Sequence, residues 1–245
     1  MSKIPQISEF QGLPVLTPEK MKYIDKVAVM EYGLKENFLM ENAGRKFYEE
    51  TKKYIDEKIK KGPKETKIAV LCGRGNNGGD GAVAARYFKE NDYYVKIYIV
   101  EPNEKGYGEL VIENLEKAKE KQIPIELVNS ENIEKIKEEL CEFDIIADAL
   151  LGISAIGKPT GIIKRLIQIA NKANKPIISL DIPSGLSPTT GHHSGVFIKA
   201  DMTITFGFAK TGLMANHAQK NIGTLKVVDI GYPPELIKKI QESKS

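Results

Sequence analysis

Asp181 lies within the apolar run 176–182, and Ile182-Pro183-Ser184-Gly185 follows it. A carboxylate within an apolar stretch costs free energy unless it is paired or hydrogen-bonded. Fixed at a strand end with a turn behind it, it is a candidate for proton transfer; the alternative is a purely structural buried acid. Asp148 repeats the pattern. It stands near the end of the apolar run 143–150 and opens onto Gly152-Ile153-Ser154-Ala155-Ile156-Gly157. Such an acid can equally cap a helix or pair with a nearby base. The third group is Gly73-Arg74-Gly75-Asn76-Asn77-Gly78-Gly79-Asp80-Gly81, between the apolar run 67–72 and a helical stretch expected at about 79–90. Its glycines permit positive φ and close approach of backbone to a ligand. The free amides of the following helix favour phosphate. A tight turn without a ligand is the rival reading.

Gly73, Gly75 and Gly78 satisfy the G-x-G-x-x-G pattern of dinucleotide enzymes, and Glu101 ends the next strand near where a ribose-binding acid would sit. An ordinary nicotinamide dehydrogenase is therefore a rival. Against it, two helices precede the motif, and Asn76, Asn77 and Asp80 make the loop unusually polar. The motif is not a P-loop, because Gly78 is followed by Gly79-Asp80 and not by Lys and Ser or Thr. Lys210, in the stretch 200–213, either reaches a phosphate or sits solvated. His192 and His193 fall between glycines in an expected surface loop, too few ligands for zinc.

These residues need a frame to bring them together. Thr17 and Pro18 suit the cap and first position of a helix, with Met21, Ile24, Val27, Ala28 and Tyr32 at helical spacing and Gly33 as its stop. A second helix is expected from about Asn37, with Leu39, Met40, Ala43 and Phe47 inward, running into charged residues and closed by Gly62-Pro63. From there strands at 67–72, 94–100, 125–128, 143–150, 176–182, 200–206 and 224–230 alternate with helices at about 79–90, 107–121, 131–140 and 162–172. This order implies an α/β fold, a mostly parallel sheet with helices on both faces. Ligands of such sheets bind beyond the carboxyl ends of the strands, where strand order reverses. The loops after Cys72, Asp148 and Asp181 all lie at those ends.

The chain's 245 residues suit one domain, read as spanning 1–245. An excess of 36 basic over 33 acidic residues argues for neither nucleic acid nor an anionic membrane as partner. Apolar runs fall short of the roughly 18 residues that span a bilayer, and residues 1–12 lack a signal-peptide pattern. Cys72 and Cys141 read as buried, reduced thiols. The expectation is a cytoplasmic protein.

Together the motifs resemble a known family. Leu39-Met40-Glu41-Asn42-Ala43-Gly44, the Gly-Asn-Asn-Gly-Gly-Asp loop at 75–80, Asp148-Ala149-Leu150-Leu151-Gly152, Asp181-Ile182-Pro183-Ser184-Gly185 and Thr203-Ile204-Thr205-Phe206-Gly207 occur in one order. They are similar to the YjeF N-terminal domain family, the NAD(P)H-hydrate epimerases, whose animal members are also called apolipoprotein A-I-binding protein. The resemblance covers about residues 17–235. It implies a Rossmann-like three-layer α/β/α sandwich with two leading helices, usually a homodimer, that epimerises the R and S forms of hydrated NADH and NADPH at C6 and binds one potassium ion. Carried onto this chain, Asn76, Asn77, Gly78, Gly79 and Asp80 would line the substrate site. Gly152, Ile153, Ser154, Ala155, Ile156, Gly157 and Lys158 would wrap the substrate. Asp181 would contact its reactive end as the catalytic acid and base. Asn77, Asp148 and Ser184 would give oxygen to potassium, which suits a hard cation. Many relatives carry a second, dehydratase domain after this one. Its absence here implies a separate NAD(P)H-hydrate dehydratase as working partner. The family's usual proline before the lysine of the fourth motif is Ala209. A non-catalytic binding module remains the third reading, since relatives of the fold serve as scaffolds.

Overall fold

A computed structural model describes residues 7–242 of the chain; the first half of the 1–12 reading therefore lies outside the described residues. Helix α1 (Pro18–Met30) begins as its sequence requires: Thr17 is extended, its hydroxyl accepts the Lys20 amide at 3.3 Å, and Pro18 occupies the first turn. Met21, Ile24, Val27 and Ala28 are buried, and Gly33 turns the chain at φ +69°. Helix α2 (Glu36–Tyr54) follows. It does not run to Gly62-Pro63: a wide π-turn over Ile55–Ile59 ends it at Lys60, which takes a left-handed conformation. Before α1, β1 (Glu9–Phe10) and β2 (Leu13–Pro14) form a small antiparallel pair that no periodicity announces.

The remainder alternates as expected: β3 (Lys67–Cys72), α3 (Asn76–Glu90), β4 (Tyr94–Val100), α4 (Glu109–Glu120), β5 (Ile125–Val128), α5 (Ile133–Leu140), β6 (Ile145–Ala149), α6 (Gly161–Lys172), β7 (Ile177–Leu180), β8 (Met202–Phe206), α7 (Gln219–Ile222), β9 (Thr224–Val228) and α8 (Pro234–Glu242). The seven long-range strands make one parallel sheet in the order β5-β4-β3-β6-β7-β8-β9. The chain builds outward from β3 to β5, then returns to lay β6 on the other side of β3. That reversal puts the ends of β3 and β6 side by side, with Cys72 level with Ala149.

The strands' period of two distributes their apolar side chains between two cores. Ile68, Val70 and Cys72 face α1 to α4 and α8, whereas Ala69 and Leu71 face α5 and α6. This gives the three layers that the element order implied. Cys72 is buried in the first core; Cys141, against expectation, is exposed, because it sits on the solvent side at the end of α5.

The stretch Leu39–Gly44, read as a family motif, is a packing device. A Cβ on Gly44 would overlap the Val83 side chain, so glycine lets α2 press onto α3. Glu41 binds the buried Arg86 at 2.5 Å, and Arg86 also donates to Asn114 at 3.0 Å, linking α2, α3 and α4. Asn42 donates to the Ile230 carbonyl at 2.8 Å and holds the chain beyond β9.

The glycine run also differs from expectation. Gly73, Gly75, Gly78, Gly79 and Gly81 all have negative φ; the missing side chains serve close approach within the protein. A Cβ on Gly73 would overlap the Leu150 carbonyl across the β3/β6 junction, and one on Gly78 would overlap the Gly73 carbonyl. Neither obstacle is the end of a flexible side chain. Gly73→Ala is therefore expected to lower stability by about 1–3 kcal/mol or more, measured by urea denaturation, while Gly75→Ala, with open space around it, should change stability much less.

Candidate active site

Helix α3 begins at Asn76, three residues earlier than the periodicity suggested, so Asn76 to Asp80 form its first turns and not a loop. Helix starts carry unpaired amides and a partial positive charge. Here those amides open onto a cleft of about 1120 Å³ at the β3/β6 reversal. Asn76, Asn77 and Asp80 line it; Gly78 and Gly79 do not, being packed beneath against Gly73 and Met40. From the loop after β6, Gly152, Ile153, Ser154 and Ala155 line the same cleft. Ile156 and Gly157 instead border a smaller neighbouring cavity, and Lys158 is exposed and lines neither.

Asp181 stands one residue beyond β7 in a left-handed conformation, φ +65°, uncommon for a residue with a side chain. Its amide is held by the Ile204 carbonyl at 2.7 Å. Its Oδ1 accepts Lys210 Nζ at 2.5 Å and the Thr205 hydroxyl at 3.1 Å. Lys210 is not solvated, one of the two alternatives its spacing left open; it lines the cleft from within the protein. It is 1% exposed, and Nζ also donates to Thr205 Oγ1 at 2.8 Å and the Phe206 carbonyl at 2.9 Å. A lysine is buried at that cost only when paired. The Ala209 that replaces the usual proline is held by a ladder instead, its carbonyl accepting the Leu16 amide at 2.9 Å.

Asp148 is fully buried within β6 and lines neither cavity. Its carboxylate accepts the Ser184 hydroxyl at 2.6 Å, the Ser184 amide at 2.9 Å, the Ser179 hydroxyl at 2.8 Å and the Leu150 amide at 3.3 Å. Burial pushes its pKa above the ordinary carboxylate value, and the Ser184, Ser179 and Leu150 hydrogen bonds oppose that rise. All these donors are neutral, so the charge itself has no counterpart among them. Ser184 in turn accepts the Leu151 amide at 2.9 Å, tying the β7 turn to the β6 loop. The Asn77 side chain lies against Gly152, and its Nδ2 is buried without a partner. The two ends of an amide are exchangeable in assignment; an oxygen in that position would be a ligand for a cation. A carboxyl, an amide and a hydroxyl, all oxygen donors, fit a hard monovalent cation.

Sequence reasoning did not assign Asp25, Tyr232 or Arg74 to the cleft. Asp25 of α1 and Tyr232 beyond β9 line it beside Asp181 and Lys210. Arg74 lines it too, its Nε bound to the Glu101 carbonyl at 2.6 Å. Glu101 itself, the acid a dehydrogenase would turn to a ribose, does not line the cleft. His192 and His193 lie in an exposed loop, stacked on His217 and Phe197 at 3.9 and 3.8 Å. Asp80 is pushed well above the usual carboxylate range by burial and by the nearby Asp181 and Asp25 charges, against the pull of Lys210.

The sequence profile of the family described as YjeF-related protein N-terminus matches residues 36–212. The chain belongs to that family. Among curated relatives, the "NAD(P)H-hydrate epimerase" of Elusimicrobium minutum is 36% identical over 93% of this chain and 100% of its own length. The "Bifunctional NAD(P)H-hydrate repair enzyme Nnr" of Thermofilum pendens is 36% identical over 92% of this chain, which spans 41% of it. In fold, the crystal structure of yeast ynu0, YNL200c, is similar, superimposing with a TM-score of 0.81 over 93% of both chains at 24% identity. Asp25 and Tyr232 fall outside the matched span.

Lys210→Met would leave the Asp181 carboxylate enclosed without its cation. It is expected to cost about 3–5 kcal/mol in chemical denaturation at neutral pH, with part regained in the Lys210→Met/Asp181→Asn double variant.

Proposed function

We propose that this chain epimerises the R and S forms of hydrated NADH and NADPH at ring carbon C6, a repair step for damaged nicotinamide cofactors. The observation that carries the reading is the placement of the Asp181–Lys210 pair and the amide-rich start of α3 in one cleft at the sheet's reversal. Full-length similarity to proteins named NAD(P)H-hydrate epimerase supports it.

The C6 hydroxyl sits next to ring nitrogen N1, whose lone pair can help expel it. The planar cation that results takes up water from the other face, and the centre inverts. No electrons are gained or lost. The protein must supply a proton to the leaving oxygen and accept one from the incoming water. Asp181 is the residue proposed to exchange protons, and its carboxylate would also steady the cation. Lys210 and Thr205 fix one of its oxygens, so the other is the free end. Asn76, Asn77 and Asp80 would hold the substrate from the start of α3, with Gly152 to Ala155 closing over it. Asn77, Asp148 and Ser184 would hold the potassium ion, which when bound would supply positive charge beside the substrate's binding loops.

The remaining proposals follow the resemblance. The enzyme would act as a homodimer in the cytoplasm, in concert with an NAD(P)H-hydrate dehydratase. No helix among the described residues is long and apolar enough to cross a membrane, and several relatives are named bifunctional NAD(P)H-hydrate repair enzymes.

The test is stereochemical. Given pure R-hydrate of NADH, the chain should produce the S form without change in the oxidation state of the ring, and Asp181→Asn should slow this by about 100-fold or more. A dehydrogenase would instead alter nicotinamide absorbance, and a binding module would leave the hydrate unchanged. Potassium chloride in place of sodium chloride should raise the melting temperature of the wild-type chain, and Asn77→Ala should abolish the difference.

A further inference from the structure

Inversion at C6 needs a proton delivered on one face of the ring and one removed on the other. A single carboxyl at the β7 end serves one face directly. Asp25 is the other carboxyl on the cleft wall with a fixed partner. Its helix neighbours Met21, Ile24 and Ala28 are core, and Asp25 sits half-buried at the border of that face. It lines the cleft together with Asp181, Phe206, Lys210 and Tyr232. The Tyr232 hydroxyl donates to Asp25 Oδ1; among the described residues no other donor reaches the carboxyl, so its second oxygen is uncommitted.

Tyr232 is itself immobilised. It is 4% exposed, its ring fills the space that a Cβ on Gly207 would need, and it packs against Phe208 at 6.0 Å between centroids. The bond from Asn42 to the Ile230 carbonyl anchors the segment that carries it. A tie serving only to dock α1 would have no need of a carboxyl on the cleft wall without a salt-bridge partner.

We propose that Asp25 is a second acid–base residue of this site, acting at the C6 hydroxyl on the face Asp181 does not serve, and that Tyr232 is the positioning residue that holds it. The proposal rests on the epimerase reading. In one direction the Asp25 carboxyl gives its proton to the C6 hydroxyl oxygen. The C6–O bond breaks with its electron pair leaving on water, and the N1 lone pair forms the C6–N1 π bond. Water adds to the opposite face, the π pair returns to N1, and the Asp181 carboxylate takes the proton of the added water. The net transfer is one proton from Asp25 to Asp181, reset by exchange with solvent through the open cleft. In the other direction the two residues exchange roles.

Burial holds the Asp25 carboxyl above the ordinary aspartate value. The Tyr232 hydrogen bond and the Lys210 charge pull it down, and the charges of Asp181 and Glu36 push it up. Asp80 on α3 faces it as a further carboxyl, and Lys22 and Lys26 of its own helix line the same cleft. Because the Tyr232 bond favours the ionised form, its removal should raise the pKa of Asp25, and a proton donor then stays protonated to higher pH.

The experiment measures epimerisation of R-hydrate by the full chain and by Asp25→Asn and Tyr232→Phe across pH, after subtraction of the rate without protein, and hydrate binding by calorimetry. Asp25→Asn should lower kcat by about 100-fold or more with hydrate binding within about threefold of wild type. Tyr232→Phe, which keeps the packed ring, should move the alkaline limb of the kcat profile up by about one pH unit. An active wild type with Asp25→Asn within threefold of its rate, or with the Tyr232→Phe limb unmoved, overturns this proposal alone. An inactive wild type overturns the epimerase reading and this proposal with it.

Discussion

The molecule depends on how closely two backbone segments pass at the reversal of the sheet. The end of β3 and the end of β6 run level, and Gly73 lies against the Leu150 carbonyl with no room for a side chain. That contact decides where helix α3 starts and where the 150–155 loop can go. The amides of α3 and the loop after β6 then border one cavity. Parallel sheets leave such a crevice wherever strand order reverses, and here Gly78 and Gly79 close it from below, leaving a cleft lined by apolar as well as polar side chains.

The acids and bases of the cleft are equal in number but unequal in depth. Asp25, Glu36, Asp80 and Asp181 line it with Lys22, Lys26, Arg74 and Lys210, and of these bases only Lys210 is buried, paired with Asp181. Lys210 spends its three donors on Asp181, Thr205 and the Phe206 carbonyl. Asp181 thus has a dedicated cation, whereas Asp25 and Asp80 are both pushed upward by burial and neighbouring charge. Like carboxylates in one enclosed space cannot all ionise without cost. Environments that drive similar groups apart are what acid and base roles require.

Much of this was legible in the sequence. The strands read from apolar runs match the seven of the sheet, and the Thr17-Pro18 cap starts α1 where expected, because these signals are local. Boundaries drifted where the local signal was weak. Glycines disguised the first turns of α3 as a loop, since low helix propensity gives way when amides and packing reward helix. Lys210 could not be assigned because its partner lies 29 residues away and nothing in its spacing says that it is buried. Asp25 and Tyr232 are 207 residues apart and carry no motif. The Ala209 carbonyl is held by the Leu16 amide, from a segment far earlier in the chain, and no local pattern announces that contact.

That distribution has a physical reason. Residues of the central motifs sit on elements whose order along the chain is also their order in space, so pattern and position agree. Asp25 and Tyr232 sit on the leading helix and the trailing segment, which only the tertiary fold brings together. Asn42 reaches from α2 to Ile230, and α2 is itself seated on α3 through Gly44 on another of its faces. The far wall of the cleft is therefore built by the same helix packing that stabilises the first core, and the two ends of the chain are drawn to the cleft by contacts whose first purpose is burial.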